Sequence, residues 1–200
     1  MARSRFRGEI VGVGSRSGVR IVVGRWKSSP LGAFADVMVE TAQGHRVLLA
    51  PDPRVAEFVE ATYRFDSVRI EGVHVEEHAD GGWSVRSPSL VLDVAFGRRT
   101  PLGRLLRLVP PRVAESPVWC TVTDSVARVA LRGVRTRGTA GGGRREWYGA
   151  TDHHAVTSLS GFFDGVDLGD LRPVVPSPRF GFSSTPASPS LTQVVTTVAW

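Results

Sequence analysis

The stretch from Gly138 to His154, GTAGGGRREWYGATDHH, holds the densest chemistry in the chain. Arg144 and Arg145 follow a glycine run, and their planar guanidinium forks suit a carboxylate or phosphate. Glu146, Tyr148 and Asp152 share one parity along an extended segment and so line one face of a strand. A carboxylate–phenol–carboxylate row of this kind can orient a polar ligand. It can also perform acid–base work, with Glu146 or Asp152 as base and His153 or His154 as its partner. His153 and His154 are adjacent, so on a strand they face opposite ways and do not form a metal pair. Arg145, Trp147, Gly149 and Thr151 make the other face. The bulk of Trp147 favours that face as core and leaves the carboxylates solvated. Which face of 145–152 is buried therefore decides whether the stretch is a site.

Other groups have plainer readings. His74 to His78, HVEEH, matches the inverted zinc-protease spacing, which needs two histidines one helical turn apart. Here they follow VRIEGV, a strand pattern, which spaces them about 13 Å apart, too far to share a zinc ion. No metal site and no cofactor is expected. GVGSRSG (Gly12 to Gly18) echoes a dinucleotide loop, but the next segment is β-branched, and a hairpin turn explains it. Cys120 in PVWCTVTD reads as a buried structural thiol and Lys27 as a surface residue at a strand end. Two arginine-rich segments, 98–112 and 132–145, can contact nucleic acid or another polyanion if they form one basic face.

These groups must be positioned by strands. FRGEIVGVG and GVRIVVGRW flank Ser15–Arg16–Ser17, AFADVMVET and HRVLLA flank AQG, and DSVRIEGVHVEEH and WSVRS flank ADGG, giving three hairpins. In the third, apolar parity changes between Ile70 and Val73, which predicts a β-bulge at Gly72. SLVLDVAFG, REWYGATD, AVTSLSGFFDG, RFGFSST and LTQVVTTVAW add further strands.

Two short helices are expected over 52–63 and 101–109. Asp52 with Pro53 starts the first, and Val55, Phe58, Val59 and Thr62 form its stripe. Thr100 with Pro101 starts the second, with Leu102, Leu105, Leu106 and Val109 as its stripe. Residues 117–132 fit a strand or a helix, with a strand entering a helix near Asp124 preferred. Residues 172–190 are rich in proline and serine and read as an extended segment packed on the surface.

Early hairpins without a βαβ rhythm predict a mainly β, mostly antiparallel fold. An antiparallel β-barrel or strongly curved sheet with two covering helices manages the strand edges best, with a two-sheet sandwich as the runner-up. The 200 residues suit one domain. The charge of +6 is distributed in blocks: 1–27 and 98–149 are basic, 28–97 and 150–200 acidic, which predicts ion pairs between distant segments. The basic N-terminus has no signal-peptide core, and no apolar run approaches a membrane span, so a cytoplasmic soluble protein is expected. Oligomeric state is open, a homodimer included. A β-barrel of this size leaves room for side chains or one ligand. The functional expectation is thus a small organic or anionic ligand in the barrel's interior or mouth, contacted by Arg144, Arg145, Glu146, Tyr148 and Asp152. An enzyme using residues 146–154 and a polyanion binder are the alternatives.

Overall fold

The computed structural model describes residues 3–79, 81–114, 116, 119–120, 137–139, 145–181 and 185–199. The fold is mainly β: ten strands form one sheet that curls through 244° as an open half-barrel. In chain order the elements are β1 (Arg3–Ser15), β2 (Arg20–Ser28), β3 (Phe34–Glu40), β4 (Arg46–Ala50), α1 (Pro53–Glu60), β5 (Ser67–Ile70), β6 (His74–Glu77), β7 (Gly82–Ser87), β8 (Leu90–Arg99), α2 (Pro101–Leu106), α3 (Pro111–Ala114), β9 (Arg137–Thr139), β10 (Arg145–Phe163), β11 (Val166–Asp167), β12 (Leu171–Arg172) and β13 (Ser190–Ala199). Along the curl the order is β5-β4-β3-β2-β1-β13-β10-β8-β7-β6, with β9, β11 and β12 as short additions. All pairings on this path are antiparallel except β4 with β5.

Period-two alternation gives the sheet two unlike faces. Val11, Val13, Ile21, Val23, Val37, Val39, Val47 and Leu49 form one continuous core with Trp83, Val85, Leu90, Leu92 and Leu159. β4 and β7 lie near opposite ends of the sheet yet share this core, so it fills the concave side. The alternate residues face outward, and α1 covers part of them: Val55, Ala56 and Val59 pack with Leu48 and Ala50. Helix α1 begins where its cap predicts, with the Asp52 carboxylate accepting the N–H groups of Arg54 and Val55 at 2.8 and 3.1 Å. Gly12 and Gly14 also face outward, between buried valines. A Cβ on Gly12 would lie 1.9 Å from Thr185 Oγ1 and one on Gly14 would lie 2.3 Å from the Pro173 carbonyl oxygen. The two glycines let the proline- and serine-rich segment lie directly on β1, where Val174 and Phe180 are buried.

Two sequence expectations change. Gly72 is no bulge: β5 ends at Ile70 beside β4, and β6 begins at His74 beside β7, at the opposite end of the sheet. The parity change marks a crossing from one edge to the other, and His74 and the acids after it lie on a strand. Helix α2 is capped by Thr100 as expected, but its buried residue is Gly103 rather than the leucine stripe, and Leu105 is 62% exposed. A Cβ on Gly103 would lie 2.3 Å from the His153 carbonyl oxygen, so the helix approaches β10 through its smallest residue. The terminal strand β13 lies mid-sheet between β1 and β10. The strand-or-helix question over 117–132 lies outside the described residues, apart from Trp119 and Cys120, which are helical.

The charge blocks meet as ion pairs. Arg20 joins Glu40 at 2.9 Å, Arg25 joins Glu77 at 3.0 Å and Arg99 joins Asp152 at 2.8 Å. Lys27 pairs with Glu9 at 3.1 Å. Among the described residues no helix is long and apolar enough to cross a membrane.

Candidate functional site

Glu146 and Tyr148 project from β10 onto the outer face, opposite Val198 and Thr196 of β13. They are covered there by the chain leaving α1. The Tyr63 N–H closes onto the Val59 carbonyl, which turns Thr62 and Tyr63 down onto β10. Thr62 Oγ1 donates to Glu146 Oε1 at 2.8 Å, and the Tyr148 hydroxyl donates to Glu146 Oε2 at 2.8 Å. The Tyr63 and Tyr148 hydroxyls are in direct hydrogen-bond contact. Glu146 is thus 2% exposed, contrary to the expectation that the carboxylates of this stretch are solvated.

A second acid joins them. Asp36 of β3 is 2% exposed and accepts a hydrogen bond from the Trp26 indole Nε1 at 2.9 Å. Burial pushes its pKa up to about 7, against the opposing indole bond. Burial also raises the Tyr63 hydroxyl, with the Glu146 and Asp36 charges adding to the effect and the Tyr148 bond opposing it. Tyr148 is raised by burial first, then by the charges of Tyr63 and Glu146. Both phenols are therefore held as neutral donors.

These polar groups line a cavity of about 60 Å³ whose walls are Phe6, Ile10, Val22, Phe34, Met38 and Phe58. Phe6 stacks on Phe58 with ring centroids 4.6 Å apart and meets Trp26 edge-on at 5.8 Å. The volume admits a few water molecules or a ligand of a few heavy atoms. The site is a small aromatic chamber with two acids, two phenols, two threonine hydroxyls and an indole in its lining.

The remaining predicted residues lie elsewhere. Arg144 lies outside the described residues, and Arg145 is exposed. Asp152 does not continue the Glu146–Tyr148 row, because the register shifts between Ala150 and Asp152. Ala150 pairs with Val194, but Asp152 pairs with Gln193, which in turn faces Glu9. Asp152 therefore lies on the opposite face of the sheet. Arg99 grips it with two hydrogen bonds, Nε to Oδ1 at 2.8 Å and Nη2 to Oδ2 at 2.9 Å, and the His153 N–H donates to Oδ1 at 2.8 Å. Burial works to raise its pKa, but Arg99, the His153 amide and His154 together hold it below the usual carboxylate range.

His153 Nδ1 is 2.8 Å from Thr100 Oγ1, and burial, then the His154 charge, lowers its pKa. His154 Nε2 lies 3.5 Å from Asp152 Oδ2. The two histidines thus serve the α2 junction and the Asp152 ion pair rather than Glu146. Cys120 is buried, which pushes its thiol up to about 11, away from nucleophilic chemistry.

Sequence reasoning found Glu146 and Tyr148 but missed Asp36, Trp26, Thr62 and Tyr63 as their companions. The available signal was Asp36 itself, a lone acid in the apolar run AFADVMVE. Comparison with protein-family models, curated proteins and solved structures finds no match, so the reading of this site rests on its own chemistry.

Proposed function

We propose that this chain binds a small organic cation, such as an alkylammonium of a few heavy atoms, in the chamber beneath α1. Asp36 carries the reading. It is a buried carboxyl whose hydrogen-bond partner among the described residues is the Trp26 indole, and its burial cost falls if a cation enters beside it. Phe6, Trp26, Phe34 and Phe58 supply aromatic faces that attract cations, and the Tyr63 and Tyr148 hydroxyls supply polar contacts. The small size of the chamber limits the ligand and excludes bulky anions. Of the expected small organic or anionic ligands, the chamber favours an organic one that is cationic, because Asp36 and Glu146 line it and Arg145 is exposed.

A thermal-shift titration with methylammonium, dimethylammonium and trimethylammonium tests the proposal, with acetate and a neutral amide as controls. At pH 8 at least one ammonium ion should raise the melting temperature in a saturable way. The rise should fade as pH drops through about 7, where Asp36 takes up its proton. It should be lost in Asp36→Asn, which keeps the shape of the side chain. Equal shifts from the neutral control, or an unchanged response in Asp36→Asn, would exclude a cation site at Asp36.

A further inference from the structure

On the sheet's outer face, away from the aromatic chamber, Arg20 of β2 and Glu40 of β3 stand directly opposite one another in the ladder. Their side chains are 7% and 2% exposed and meet at 2.9 Å. Arg20 is anchored further by the Gly18 carbonyl at 3.0 Å and the Thr41 carbonyl at 3.2 Å. Among the described residues its buried Nε has no hydrogen-bond partner.

Arg179 approaches the same acid from the proline- and serine-rich segment. Its backbone N–H donates to Glu40 Oε2 at 2.7 Å, and its side-chain Nε lies 3.5 Å from Glu40 Oε1. The Glu40 carboxylate is therefore already satisfied by Arg20 and by a main-chain amide. The Arg179 guanidinium is 76% exposed and rests beside Gly44, where a Cβ would lie 3.0 Å from Nη2.

Around this trio is an open basin of about 330 Å³, lined by Arg20, Glu40, Ala42, Gln43, Gly44, Pro176 and Arg179. Two guanidinium groups share one carboxylate in the lining, so the basin carries one excess positive charge. A buried cation held rigidly by carbonyls beside an exposed one that can swing is an arrangement suited to an anion. The low-dielectric side of the pair strengthens the attraction, and the exposed arginine supplies the bidentate fork. Gly44, at φ +86°, keeps the turn bare where the ligand would pass.

We propose that this basin binds a small oxyanion, a carboxylate or a phosphate group, on Arg179 with Arg20 as the fixed charge behind it. The site is independent of the aromatic chamber and takes a ligand of opposite charge.

Amide spectra of the ¹⁵N-labelled full chain test the proposal during separate titrations with inorganic phosphate and with acetate, each against sodium chloride of equal ionic strength. The Gly44 and Arg179 signals should move saturably in at least one arm and stay in place with chloride. Movement with phosphate alone assigns phosphate chemistry, and movement with acetate alone assigns a carboxylate; either supports the site. Arg179→Gln should fold normally, because this side chain is exposed, and should weaken binding at least tenfold. Arg179→Lys, which keeps the charge but not the fork, should fall between the two. No saturable movement at Gly44 in either arm, or equal affinity in Arg179→Gln, would overturn the proposal.

Discussion

Asp36 makes the chain's pH response readable at a single residue. Its folded-state pKa is about 7, above the ordinary 3.8, so the folded protein binds the proton more tightly than the unfolded chain. The sign follows from linkage: the contribution is fully present below about pH 4 and is lost as pH rises through about 7. At pH 8 the ionised, buried carboxylate costs roughly 4 kcal/mol at most. Asp36→Asn should therefore be more stable than wild type at pH 8, with the difference closing toward pH 4, as measured by urea unfolding across that range. A variant with the same pH slope as wild type would place the titration elsewhere. His153 slopes the opposite way: its lowered pKa makes the unfolded chain bind the proton more tightly, so acid below about 6.5 destabilises the fold. Glu146 and Tyr148 were legible as chemistry from their types and spacing. Asp36 was not, because a lone acid on an alternating strand looks the same whether its face meets water or a helix.

Short helices position both the chamber and the β10 junction, and each depends on one cap. Thr100 Oγ1 accepts the Gly103 N–H at 3.1 Å and also contacts His153 Nδ1. Thr100→Ala should cost about 1–2 kcal/mol through the lost cap, seen as a lower urea midpoint. Gly103→Val should cost more, about 1–3 kcal/mol through overpacking against the His153 backbone, and should disturb the Arg99–Asp152 pair next to it. The cap residues and the prolines after them were readable because helix starts are local chemistry. The buried side of α2 was not. Leucine spacing predicted an apolar stripe, but the helix is so short that close backbone approach through Gly103 decides how it docks.

Across the whole molecule the open half-barrel is laced by side chains that join its two ends. Arg69 of β5 reaches Asp164 and Ser89, and Glu71 accepts from Ser87 Oγ at 2.8 Å and Ser89 Oγ at 2.9 Å. On the other strands Arg25 pairs with Glu77 and lies over the Trp83 ring at 5.5 Å. Because these groups are partly exposed, Arg69→Ala should lower global stability only by about 1 kcal/mol or less. It should nevertheless speed hydrogen exchange across β5 and the β7–β8 turn, where the ends of the sheet separate. Unchanged exchange there would mean that the concave core alone holds the curl. Residue alternation, turn glycines and caps determined that the chain would form a mostly antiparallel sheet with two short capped helices, since each depends on neighbours within a few residues. Tertiary structure alone decided where the sheet curls, that 71–73 crosses between its edges, that a register shift sends Asp152 to the opposite face from Glu146, and that α1 seals Asp36 and Glu146 into one chamber. Those outcomes depend on which distant surfaces cover one another, and burial by a distant element leaves no mark in the local spacing of residues.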